Sequence, residues 1–319
     1  MKKIVSLFIA SLLVLALFAS CTAAGGDETT AVTPESTYAP IGEATPQETT
    51  KAEETTAEVT TKAEETSAEV TTEAPKKKQY LSLGDSIASG YGLSGARTER
   101  YSYLVAQELG ADYVENNYGV DGYTSSQLLT LLKSGLLDFS NTGVITVSIG
   151  ANNILAPGQQ LIPYLQSDAA GAYQLLQSDA FLGALAAGVT QFASDLPAIV
   201  AELRALAPDA EIVLLTVYNP YKGAKYPIVV NGQAVDFEIG EFCKPYIEQL
   251  NEIVKAVAAE TGCLVADVYT AFEESTDVNT NVTLSISGHI TTSFDPHPNK
   301  KGHRLIAEVI AEQLHHLAA

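Results

Sequence analysis

From residue 79 onward, short apolar runs alternate with longer stretches whose apolar residues recur every three or four positions. The runs Tyr80-Leu81-Ser82-Leu83, Asp112 to Gly119, Gly143 to Ile149, Glu211 to Val217 and Cys263 to Val268 are brief and rich in β-branched or aromatic residues, which predicts five strands. Helical spacing fills Tyr101 to Leu109, Ser125 to Leu132, most of Pro163 to Leu206, the stretch between Cys243 and Cys263, and Lys300 to about Leu317. Strands that alternate with helices predict a five-stranded, mainly parallel sheet covered on both faces, a three-layer α/β/α domain over 79–319. Ligands of such sheets bind beyond the C-terminal ends of the strands. Candidate chemistry is therefore sought just after each strand.

A different pattern fills the first 78 residues. Lys2 and Lys3 precede an apolar run from Ile4 to Ala19, and small residues follow before Cys21, which is the build of a secretory signal. Leu17-Phe18-Ala19-Ser20-Cys21 resembles a bacterial lipobox, with Phe18 where leucine is usual. That resemblance makes 1–21 a lipoprotein-type signal, Cys21 the lipidation site, and the product a cell-surface lipoprotein on the outer face of a bacterial membrane. An ordinary signal peptide and an uncleaved anchor are the other readings. Residues 22–78 are dominated by Thr, Glu, Ala and Pro, and Thr49 to Val59 is nearly repeated in Thr60 to Val70. Such a segment cannot bury a core and reads as a disordered tether, with a reach of roughly several tens of Å.

Charge narrows the partners. The formal net charge of −20 lacks the basic patches that nucleic acid or an anionic membrane surface requires. The only membrane contact expected is therefore through the N-terminal anchor. Export permits a disulfide between Cys243 and Cys263. A helix of some 15 residues between them, however, spans about 22 Å, while bridged cysteines need Cα atoms within about 7 Å. Two separate buried thiols are expected.

The strand ends carry a distinctive set. Gly84-Asp85-Ser86 follows the first strand, Asn116-Asn117-Tyr118-Gly119-Val120-Asp121-Gly122 ends the second, and Gly150-Ala151-Asn152-Asn153 follows the third. Asp295-Pro296-His297-Pro298-Asn299 precedes the last helix. A serine, a glycine, an asparagine and a histidine are the parts acyl transfer needs. The hydroxyl requires an adjacent imidazole to take its proton, and the tetrahedral oxyanion requires donors already aimed at it.

With those four motifs in that order, the chain resembles the GDSL or SGNH hydrolase family over essentially all of 79–319. The resemblance implies a flavodoxin-like three-layer fold and ester hydrolysis without a cofactor or metal. It makes Ser86 the nucleophile, His297 the base, and Ser86 N–H, Gly122 N–H and the Asn152 amide the oxyanion hole, with Asp85 and Asn153 in support. Two positions depart from the family pattern. Its acid lies three residues before the histidine, where this chain has Phe294, and Asp295 is only two before. Either Asp295 still reaches the ring or a main-chain carbonyl orients it. Asn153 replaces a supporting aspartate.

Other readings compete at several points. Gly90-Tyr91-Gly92-Leu93-Ser94-Gly95 matches a dinucleotide fingerprint, but it begins six residues after the strand end, where the first glycine should sit. His303 is expected to pack or cap in the last helix, His289 to lie at a rim, and His315 and His316 to sit in the final turn. The substrate is expected to be a small-molecule or polysaccharide ester, an O-acetyl group being the leading candidate and lysophospholipid the runner-up. The helices of 155–206 either cover the sheet, the ordinary case, or form a lid or acyl groove. A non-catalytic surface-binding domain is the alternative of another class.

Overall fold

The computed structural model describes residues 76–317. The signal-like segment, Cys21 and the repeats lie outside the described residues. Strands β1 (Lys78–Gly84), β2 (Tyr113–Gly119), β3 (Thr142–Ser148), β4 (Glu211–Leu215) and, later in the chain, β7 (Leu264–Ala266) form one sheet in the order β2-β1-β3-β4-β7. Every pairing in it is parallel. The expected strands are all present, with the fourth and fifth shorter than the apolar runs that announced them.

Alternation within the strands divides the core. Leu81, Leu83, Ile145, Val147, Ile212 and Leu214 point to one face. There they meet α4 (Ser125–Lys133), the second half of α8 (Asp179–Leu206) and α9 (Ile239–Thr261). Tyr80, Val144, Val213 and Leu215 point to the other face, against α3 (Tyr101–Leu109), α10 (Val268–Glu274) and α11 (Lys300–Leu314). Burial on both faces is why these strands read as apolar runs rather than as strict alternation.

A third core stands apart from the sheet. The stretch expected to be mostly helical between the third and fourth strands divides into α5 (Ala151–Gly158), α6 (Leu161–Ser167), α7 (Ala169–Leu176) and α8. Asp168 and Ser178 cap α7 and α8 with their side chains and so set the breaks. Leu161, Leu165, Leu176, Phe181 and Leu185 pack with Ile228 and Ile239 rather than on the strands. The expectation that this stretch merely covers the sheet holds for the second half of α8 and fails for α6 and α7. The partner of α7 is a hairpin, β5 (Lys225–Val230) and β6 (Gln233–Glu238), for which the hydrophobic pattern predicts no element. Its two-residue turn, Asn231-Gly232, has positive φ at both residues, as a type I′ hairpin turn requires.

Cys243 lies inside α9 and Cys263 just beyond its end, and both are free thiols. They are separate, as expected, but half-buried rather than fully buried.

Candidate active site

The chain leaves β1 to pair first with β2 on one side and then with β3 on the other, so the strand order reverses between β1 and β3. A crevice opens at such a reversal. Ser86 is the first residue of the short helix α1 (Ser86–Ser89) after β1, and Asn152 is the second residue of α5 after β3. Both therefore flank the crevice. The two strands meet so closely that a Cβ on Gly84 would lie 2.0 Å from the Ser148 carbonyl oxygen, which only glycine avoids.

Ser86 Oγ lies 2.9 Å from His297 Nε2, and Nδ1 of the same ring lies 2.5 Å from Asp295 Oδ1. A carboxylate can only accept, so Nδ1 carries the proton and Nε2 is left free to take one from Ser86. The short spacing of Asp295 works because Asp295 Oδ1 also accepts from the backbone N–H of His297 at 3.1 Å. This turn, closed across Pro296, folds the carboxylate back onto the ring of the second residue along. Phe294 contributes its carbonyl instead, which accepts from Tyr221 Oη at 2.9 Å, while Pro296 O accepts from Tyr218 Oη at 2.8 Å. The Tyr218-Asn219-Pro220-Tyr221 run after β4 thus grips the acid–base loop on both sides of Asp295.

The loop after β2 is fixed at both ends. Asp121 Oδ1 accepts from Ser89 Oγ at 2.5 Å, and Tyr123 O accepts from Asn152 Nδ2 at 2.9 Å. Gly122 lies between these anchors with φ of +79°. It is exposed and lies outside the cavity wall that Ser86, Asn152 and His297 share. An amide carries two N–H groups, so Asn152 keeps one beyond its bond to Tyr123. Asn153 has a different task. Its Oδ1 accepts from Ser125 N at 3.0 Å and its Nδ2 donates to Ser125 Oγ at 2.8 Å, which ties α5 to the start of α4. Ser125 Oγ in turn donates to the buried Asp195 on α8 at 2.6 Å. The supporting carboxylate is thus present one hydroxyl away from position 153.

The site opens on a cavity of about 120 Å³. Ser86, Asn152 and His297 lie in its wall, and Ile154, Leu155, Leu161, Leu165, Phe181 and Leu185 make it apolar. It runs along the seam between the sheet and the third core. Tyr91, half-exposed, packs its ring 4.5 Å from that of His297. The glycine-rich stretch around it therefore belongs to the histidine's surroundings.

The remaining histidines lie elsewhere. His303 is buried in α11, where Nδ1 accepts from Tyr101 N at 3.2 Å, so it packs as expected. His289 pairs with Asp236 of β6 at 2.8 Å. His316 pairs with Glu211, also at 2.8 Å, just past the end of α11.

Asp85 caps α1 by accepting from Ile87 N at 3.0 Å, while its Oδ2 is buried without a partner. Burial pushes this carboxyl up to about 7 and pushes the His303 imidazole down to about 4. The signs differ. Folded Asp85 holds its proton up to about pH 7, so its contribution to stability is complete in acid and is lost as pH rises through that value. Folded His303 refuses a proton that the unfolded chain accepts near 6.5, so its contribution is lost as pH falls toward 4. An Asp85→Asn variant keeps the capping oxygen and removes only the first effect. Its melting temperature should therefore gain on that of the wild type as pH is raised from about 5 to about 8. A constant difference would show that Asp85 is ionised throughout.

Residues 82–305 match the GDSL-like lipase/acylhydrolase family. The chain belongs to that family. It is accordingly an ester hydrolase of the GDSL/SGNH type, with acylhydrolase activity. No curated protein matches it in sequence. Among solved structures it is similar to phospholipase A1 from Streptomyces albidoflavus NA297, at 20% identity and a TM-score of 0.54 over 74% of this chain and 99% of that one. The extracellular lipase from Streptomyces rimosus is 20% identical, with a TM-score of 0.50 over the same shares. A lipase from a goat rumen metagenome is 18% identical, with a TM-score of 0.53 over 74% of this chain and 97% of that one. At these identities the likeness is one of fold.

Proposed function

We propose that this GDSL hydrolase cleaves carboxylic esters of medium-length aliphatic acyl groups through an acyl-Ser86 intermediate. The observation that carries the reading is the 2.9 Å contact of Ser86 Oγ with His297 Nε2 at the wall of an apolar cavity. Ser86 Oγ attacks the ester carbonyl carbon as its proton passes to Nε2, and Asp295 steadies the imidazolium. The oxyanion is met by the Ser86 and Gly122 N–H groups and by the free N–H of Asn152. His297 then returns the proton to the departing alkoxide. In the second half a water loses its proton to His297 and attacks the acyl carbon, which frees the acid and restores Ser86.

Acetyl-ester hydrolysis, the leading expectation from sequence, uses the same three side chains but leaves the cavity unfilled. Burying a methylene is worth about 0.8 kcal/mol, so kcat/KM should climb by up to about fourfold per added methylene while the acyl chain stays inside. Aryl acetate, butyrate and octanoate esters provide the test. A flat or falling series would return the reading to the acetyl ester.

A further inference from the structure

We propose that Asn281 is a positioning residue of this active site: it fixes the Asp295 carboxylate and, through it, the tautomer and aim of His297. The inference rests on the role proposed above for His297 and Asp295. A carboxylate one-third exposed, as the Asp295 side chain is, can turn about its last bond and exchange its oxygens with water. Its Oδ1 must nevertheless stay shared between the ring and the backbone N–H of His297. Asn281 Nδ2 donates to the other oxygen, Oδ2, at 3.1 Å, so the turn is blocked.

The same residue holds the base. Its backbone N–H donates to the carbonyl oxygen of His297 at 2.9 Å, so one asparagine braces the acid by its side chain and the histidine by its main chain. The brace is itself anchored to the fold. Asn299, the N-cap of α11, donates from Nδ2 to Thr280 O at 3.0 Å and from its backbone to Asn279 O at 2.9 Å, and Thr280 Oγ1 donates to Pro220 O at 3.4 Å. Gly92 lies on the opposite side, where an added Cβ would come within 3.3 Å of Asn281 Nδ2, so a larger residue there would press on the amide. The other groups near His297 are the Tyr91 ring, Asp85 and Tyr218 in the cavity wall, and His303 in α11, and none of them is replaced in the test.

Two variants test this. Asn281→Leu removes the donor at similar volume, and kcat on aryl octanoate should fall by about tenfold to a hundredfold with KM within twofold, as expected for a misaimed catalytic group. Its acid limb in the pH profile of kcat/KM should move to lower pH, because the imidazolium loses a fixed counter-charge. Asn281→Asp keeps the shape and, about 3 Å from Asp295 Oδ2, shares a proton with that carboxyl, so it still donates to Oδ2 and should retain more of kcat than Asn281→Leu. A loss of kcat with a displaced acid limb in Asn281→Leu, partly restored by Asn281→Asp, is not produced by a merely structural role. Unchanged kcat and pH profile in Asn281→Leu, beside an inactive Ser86→Ala, would overturn the inference while leaving the proposed function intact. An active Ser86→Ala would overturn both. If Asn281→Leu does not fold, unchanged kcat and pH profile in Asn281→Ala overturn the inference alone.

Discussion

Ser86→Ala is expected to lose ester hydrolysis by about three to six powers of ten, and labelling by a serine-reactive fluorophosphonate should vanish with it. The size of the loss follows from what else the cavity offers. The thiol in its wall is Cys243, and burial pushes it up to about 12, so almost none of it is thiolate at neutral pH. With the hydroxyl gone, His297 has only water to activate. The fold should be little affected, since one hydrogen bond is removed, worth about 1 kcal/mol. Rate and labelling on aryl octanoate, read beside the melting temperature, separate loss of chemistry from loss of structure. Hydrolysis that survives in the variant would assign the chemistry to a group other than Ser86.

Asp295→Asn should cost about three to four powers of ten in kcat, with the melting temperature near that of the wild type. Asparagine keeps the size and can still close the turn onto the N–H of His297. It carries no charge to stabilise the imidazolium, and it can present an N–H to Nδ1, which would move the ring proton to Nε2 and leave Ser86 without a base. The competing view, in which a main-chain carbonyl orients the ring, predicts a loss of only a few-fold. Steady-state kcat on the octanoate ester decides between them. The direct contact of Nδ1 with the Asp295 carboxylate, rather than with a main-chain carbonyl, is the reason to expect the larger figure.

What could be read in advance was whatever depends on neighbours along the chain. Strands buried on both faces declare themselves as apolar runs, and residues just after parallel strands converge in space, so Ser86 and Asn152 could be gathered from pattern, while His297, beyond α10, joined them through the family resemblance. Asp295 was legible as a candidate, though only the closed turn across Pro296 explains how two residues of spacing suffice. The hairpin went unread: Asn231-Gly232 is a strong local turn signal, but β6 is mostly exposed and carries little hydrophobic pattern. Asn281 and Asp195 had no such signal. Asn281 lies in an irregular segment 14 residues from Asp295, and Asp195 lies 70 residues from Ser125. Their roles arise from contacts between distant segments, which periodicity does not report.

The third core has a consequence for how this protein can change over time. The walls that would select the acyl group come from α5, α6, the start of α8 and the first half of α9, and of these α6 and the start of α8 pack with a surface hairpin rather than on the sheet. The side chains that would perform the reaction stand on turns braced by the sheet and its own helices. Mutations in α6 and at the start of α8 therefore reshape part of the selecting wall without touching a residue of the catalytic set, and a lineage carrying this scaffold can drift from one ester to another through them.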